Sequence, residues 1–152
     1  MASNLTNITG IERGRAKFAY DRAKDARDKC LPKYDSYVKK IPMMIKINGL
    51  GAAFAFMYSK KNKPEGKTYM PIGEDVTAWL KASGKGNLYG IEKVEKFEDL
   101  VVKIVELDSS RYRALTIEVL AFFNWLRRFA EGLIEDKEDK KDDKTGGEAK
   151  NG

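Results

Sequence analysis

Residues 109–135, SSRYRALTIEVLAFFNWLRRFAEGLIE, are the longest periodic stretch of this chain and hold its densest set of large apolar side chains. Tyr112, Leu115, Val119, Phe122, Leu126, Phe129 and Leu133 step by three and four in alternation, which places all seven along one side of a helix. Leu120, Phe123, Ala130 and Ile134 form a second row beside it. An arc that broad suits the central helix of a bundle better than the narrow seam of a two-stranded coil. A fully buried Leu or Phe contributes about 1.5–3 kcal/mol. This helix therefore organises a core that the rest of the chain must cover.

Helical spacing recurs along the chain. Residues 11–31 carry a stripe of small side chains, Ala16, Ala19, Ala23, Ala26 and Cys30, that lets another helix approach closely. Cys30 reads there as a small buried hydrophobe. Thr9 or Gly10 can begin this helix, and Pro32 ends it. Residues 34–48 form a second helix, kinked or restarted at Pro42, with Asn48 and Gly49 supplying a left-handed cap. The alanines of LGAAFAFMYS, residues 50–59, favour a buried helix over a short strand. KKNKPEGKT, residues 60–68, reads as an exposed basic loop.

A helix is expected to restart at 71–82, with Glu74 and Asp75 near its positive end, and another spans 97–107. Asp108, Ser109 and Ser110 then cap the long helix. No stretch alternates as a strand would. The expected architecture is all-α: a single bundle domain of about five or six helices over residues 11–135 with a long C-terminal helix, a flexible N-terminus at 1–10, and a disordered charged tail at 136–152.

Composition narrows the chemistry. There is no histidine and a single cysteine, so the common zinc, haem and blue-copper ligand sets and His-dependent acid–base schemes lack their residues. The glycines of SGKGNLYG, residues 83–90, are too irregular for a phosphate-binding loop. No cofactor or metal is expected. With no apolar signal segment and no run of membrane-spanning length, the reading is a soluble, cytoplasmic protein. Glu118, at the edge of the apolar arc, is the one carboxylate that invites an acid–base role. Nothing nearby in sequence completes a catalytic pair, so an ion pair or cap with an arginine of the first helix is the competing reading. Trp125, beside the main apolar face, suits the core edge, a protein interface or a base-stacking platform.

The net charge of +6 is unevenly distributed: residues 1–70 carry 15 Lys/Arg against 6 Asp/Glu, and residues 71–135 carry 9 against 11. A basic first half favours an anionic partner, nucleic acid before membrane. Lys39, Lys40 and Lys46 fall on the polar side of the second helix, and Lys60, Lys61, Lys63 and Lys67 follow in the loop. Lysines without a recognition motif suit contacts to a nucleic-acid backbone, which hold and orient without reading bases.

Three segments together resemble a known family: YVKKIPMMIKINGLGAAFAFMYSKK, then VTAWL, then SRYRALTIEVLAFFNWLRRFAEGLIE. They are similar to the small subunit of the type III-B CRISPR effector, the RAMP-module or Cmr complex, from about Ala16 to Glu135. The most specific parts are Asn48-Gly49-Leu50-Gly51 with Lys46 two residues before it, and Tyr112-Arg113 followed by Thr116, Glu118, Trp125, Leu126, Arg128, Phe129 and Ala130. The resemblance implies a non-catalytic, all-helical subunit in antiviral defence. It would stack in several copies beside the large subunit as a minor filament facing the guide–target RNA duplex. It also points to Lys39, Lys46, Lys60 and Lys61, with Lys40 beside them, as phosphate contacts. From the residues alone, a helical protein–protein adaptor with a basic surface and no direct RNA role is the alternative.

Overall fold

The computed structural model describes the backbone of residues 2–148 and the side chains of residues 10–134. Seven helices and no strand occur among the described residues: α1 (Ala2–Asp28), α2 (Tyr34–Asn48), α3 (Leu50–Ser59), α4 (Gly66–Ala82), the single turn α5 (Gly86–Tyr89), α6 (Phe97–Ile104) and α7 (Ser109–Glu148). The flexibility expected of 1–10 and 136–152 concerns ends whose side chains, at 1–9 and 135–152, lie outside the described residues.

α7 is the axis that the periodicity predicts. Leu115, Val119, Phe122 and Leu126 are fully buried in its first row and Phe123 and Ala130 in its second, while Tyr112, Phe129 and Leu133 close the rim. Its partners are chiefly α1 and α2. Ala19, Ala23 and Ala26 are all buried, so the small-residue stripe of α1 sits in the interior. Phe18 stands beside Trp79 of α4 and Phe122 of α7, with centroid separations of 5.5 and 6.1 Å. The start of α7 is capped as expected, the Arg111 amide donating to Asp108 Oδ1 at 3.0 Å.

Cys30 departs from the expectation: it is exposed and not part of the alanine stripe. α1 ends at Asp28 in a left-handed turn, with the Leu31 amide donating to the Ala26 carbonyl and the Cys30 amide to that of Arg27. This pair of bonds is the Schellman closure. Cys30 takes the position usually held by glycine, at φ 53°, which turns its side chain off the helix. The helix expected from 71 also begins earlier, at Gly66, and runs through Pro71. Glu74 and Asp75 thus fall mid-helix and act elsewhere. The Glu74 carboxylate reaches α6 and accepts from the Phe97 amide at 3.2 Å. Pro42 likewise sits inside an unbroken α2.

Asp75 meets Arg22 of α1 at 3.6 Å with its side chain 19% exposed. Burial pushes its carboxyl up to about 7, with Asp25 and Glu74 acting in the same sense and Arg22 and Lys29 pulling it down. Beside it on α2, the buried Tyr34 hydroxyl has no hydrogen-bond partner, and burial followed by the charge of Asp75 holds that phenol far above its ordinary range. Because the folded carboxyl keeps its proton to higher pH than the unfolded chain, ionisation costs the folded state stability. None of that cost is felt below the unfolded value near 4; it grows with pH and is complete above about 7. Asp75→Asn is therefore expected to gain on the parent, by on the order of 2–4 kcal/mol, as urea unfolding is repeated from pH 4 to pH 8. A stability difference that stays flat over that range refutes the assignment.

Candidate nucleic-acid interface

The two most specific parts of the family resemblance form one joint. Gly49 adopts φ 90°, ending α2 and turning directly into α3. A Cβ there would lie 3.0 Å from the Tyr112 hydroxyl, so both the backbone angle and the space call for glycine. The Gly51 amide, an unpaired donor in the first turn of α3, donates to that same hydroxyl at 3.0 Å. Asn48, Gly49 and Gly51 thus set a corner into which Tyr112 of α7 fits. Thr116 anchors one turn on, donating to the Tyr112 carbonyl at 2.8 Å. This joint fixes the end of α2, and with it the direction in which that helix presents its lysines.

Glu118 is 6% exposed and fully engaged. Arg15 of α1 grips it with both arms of the guanidinium, Nε to Oε1 at 3.0 Å and Nη2 to Oε2 at 2.8 Å. Trp79 of α4 donates its indole N–H to Oε1 at 2.8 Å. The carboxylate joins three helices and is closed to substrate, which removes the Glu118-centred acid–base reading. Trp125 stacks on Phe129 at 5.8 Å, and Phe129 meets Tyr20 edge-on at 5.4 Å. Those rings form an outer seam between α7 and α1, and Trp125 is partly buried against the core.

The structure divides the five candidate lysines into two sets. Lys40 and Lys60 share the ring of Phe56, their ammonium nitrogens 5.4 and 5.1 Å from its centroid, and Lys61 stands 5.4 Å from the ring of Tyr58. Phe56 is itself edge-on to Tyr69, whose other neighbour is Tyr37, stacked at 4.2 Å. This set holds its charges on aromatic faces, and Tyr58, beneath Lys61, donates its hydroxyl to Glu98 Oε1 at 2.7 Å. Lys39 and Lys46, seven residues apart, face α7 instead. Lys39 pairs with Glu131 at 3.8 Å, an exposed contact worth about 0–1 kcal/mol. Lys46 lines a cleft of about 300 Å³ with Pro42, Leu120, Ala121, Phe123, Asn124 and Arg127. Sequence reasoning treats the three α2 lysines as one polar side. The neighbours of α2 split them, because residues one apart on a helix lie about 100° apart around its axis.

Among the described residues, no group of three His, Cys, Asp or Glu side chains is placed to hold a metal, and no helix is long and apolar enough to cross a membrane. The model of the family described as CRISPR-associated protein (Cas_Cmr5) matches residues 11–133. A curated protein of Thermus thermophilus, "CRISPR system Cmr subunit Cmr5", is 27% identical over 122 residues, 80% of this chain and 93% of that protein. The X-ray crystal structure of a CRISPR-associated Cmr5 family protein from the same organism matches with a TM-score of 0.64 at 25% identity, over 80% of this chain and 98% of that one.

Proposed function

We propose a role that proceeds from family membership: the chain belongs to the CRISPR-associated Cas_Cmr5 family and is a small subunit of a CRISPR Cmr complex. In this role it is a non-catalytic scaffold of antiviral defence, working in the cytoplasm. It stacks with further copies of itself and with the large subunit as a minor filament and holds the guide or target RNA by its phosphate backbone. The observation that carries the RNA contact is the set Lys40, Lys60 and Lys61, cations resting on Phe56 and Tyr58 with no carboxylate partner among the described residues. Charges already paired with acids have less to gain from a phosphate. These do not carry that handicap.

Charge reversal at Lys39, Lys46, Lys60 and Lys61 in a reconstituted complex is expected to weaken target-RNA binding. It should also flatten the salt dependence, the log–log slope falling by about 2, at roughly 0.7 per lost single-strand contact for Lys46, Lys60 and Lys61, since Lys39 is held by Glu131. All four side chains are exposed or half-exposed, so the fold should persist, which circular dichroism checks. Equal affinity for parent and variant across a salt titration would reject these residues as RNA contacts. The alternative, an adaptor that meets an acidic protein, draws on the exposed apolar side chains Met43, Ile47, Val102, Val105 and Ile117. Pull-down with and without ribonuclease separates the two, since an adaptor keeps its partners after the RNA is digested.

A further inference from the structure

The cleft between α2 and α7 lies outside the Phe56 set and has its own chemistry. α2 and α7 run antiparallel, since Lys39 meets Glu131 at one end and the Gly49 corner meets Tyr112 at the other. Between those ends, Lys46 of α2 and Asn124 and Arg127 of α7 line one concavity of about 300 Å³, floored by Pro42, Leu120 and Phe123. All three polar residues are exposed, and among the described residues neither cation has a carboxylate within ion-pair distance. Glu131, four residues after Arg127 on α7, is paired with Lys39. Arg113 continues the same side of α7 fourteen residues before Arg127, a rise of about 21 Å at 1.5 Å per residue.

We propose that this α2–α7 groove seats the phosphodiester backbone of single-stranded RNA, with Lys46 and Arg127 neutralising a phosphate from opposite walls and Asn124 donating its amide to it. The inference rests on the RNA-binding reading above and adds a site to it. Three features favour this ligand. Two cations of different geometry line one cavity from separate helices, and the planar guanidinium can take two oxygens of one phosphate. The third polar residue of the lining, Asn124, is an uncharged amide where a carboxylate would repel an anion. Packed helices stand only about 8–10 Å apart axis to axis, which keeps the furrow narrow, and Pro42, Leu120 and Phe123 give it an apolar lining beside the polar groups. The Lys39–Glu131 pair closes one end. Opening it should lengthen the basic track.

The test is fluorescence anisotropy of a labelled single-stranded RNA with the full chain, and then with the reconstituted Cmr complex. Lys46→Ala/Arg127→Ala is expected to lower affinity about tenfold and to reduce the log–log salt slope by about 1.4, two contacts at roughly 0.7 each. Glu131→Gln, which frees Lys39 and removes the acid at the end of the groove, is expected to raise affinity several-fold, a gain that structural damage cannot imitate. Lys40→Ala/Lys60→Ala/Lys61→Ala serves as the comparison. If that triple variant weakens binding while the groove variants do not, the groove assignment is overturned and the RNA reading stands. If the parent complex binds RNA with no salt dependence and neither set matters, both fall. Competition by polyglutamate as effective as that by RNA would assign the groove to an acidic protein and overturn the proposal.

Discussion

Glu118→Ala is expected to cost the fold about 3–5 kcal/mol, the range for stripping one partner from a buried ion pair. The Glu118 side chain is 8% exposed and that of Arg15 16%. The alanine variant leaves the guanidinium with neither carboxylate nor ready access to water, and leaves the Trp79 N–H without its acceptor. At roughly 2–4 °C per kcal/mol for a domain near this size, thermal unfolding should fall by on the order of 10 °C. Glu118→Gln keeps an acceptor for Trp79 and should recover part of the loss. Arg15→Met combined with Glu118→Leu, which removes both charges at once, should recover more. An alanine variant within about 1 kcal/mol of the parent would show that water reaches Arg15 freely and that the pair is not structural.

Gly66→Ala is expected to cost about 1–3 kcal/mol, as forced overpacking does, and to loosen the lysine-bearing loop. A Cβ at Gly66 would run into the carbonyl oxygen of Lys60 and lie 2.6 Å from that of Lys61. Those are backbone atoms and cannot swing aside as a side chain could. Tryptic cleavage after Lys60, Lys61 or Lys63 should quicken in step with the fall in melting temperature. Unchanged cleavage and melting together would mean that the loop accommodates the methyl group and that its conformation is not fixed by the start of α4. The same substitution probes function, since Lys60 and Lys61 are held over Phe56 and Tyr58 by this turn.

How legible each feature was in the sequence follows the range of the force that sets it. The stripe on α7 is local periodicity, and its central residues, Leu115, Val119, Phe122 and Leu126, are all buried. The Asp108 cap is three residues from the amide it accepts, and it too is readable. An arginine of α1 on Glu118 is inferable, because a carboxylate at the margin of an apolar arc needs a counter-charge. Its second donor is not. The Trp79 indole lies 39 residues away, and Trp79 reads simply as one more apolar position of its helix. Cys30 fits the three/four spacing perfectly and still fails, because a closing turn decided by Pro32 outweighs periodicity at the last position. The lysines of α2 fail differently: their spacing is read correctly, yet α3 and α7 flank different sides of that helix and divide the row.

The packing of α1 against α7 sets the order in which this chain can mature. Arg15 meets its partner 103 positions later in the sequence, and Phe18 rests on Phe122. A chain emerging from the ribosome leaves the alanine face of α1 without its main cover until α7 has been made. Pairings between α2, α3 and α4 span fewer residues and can form first. Locking of the interior then awaits α7, which gives the fold a long loop closure. Truncation within α7 would accordingly leave the earlier helices without a roof, even though they contain most of the residues.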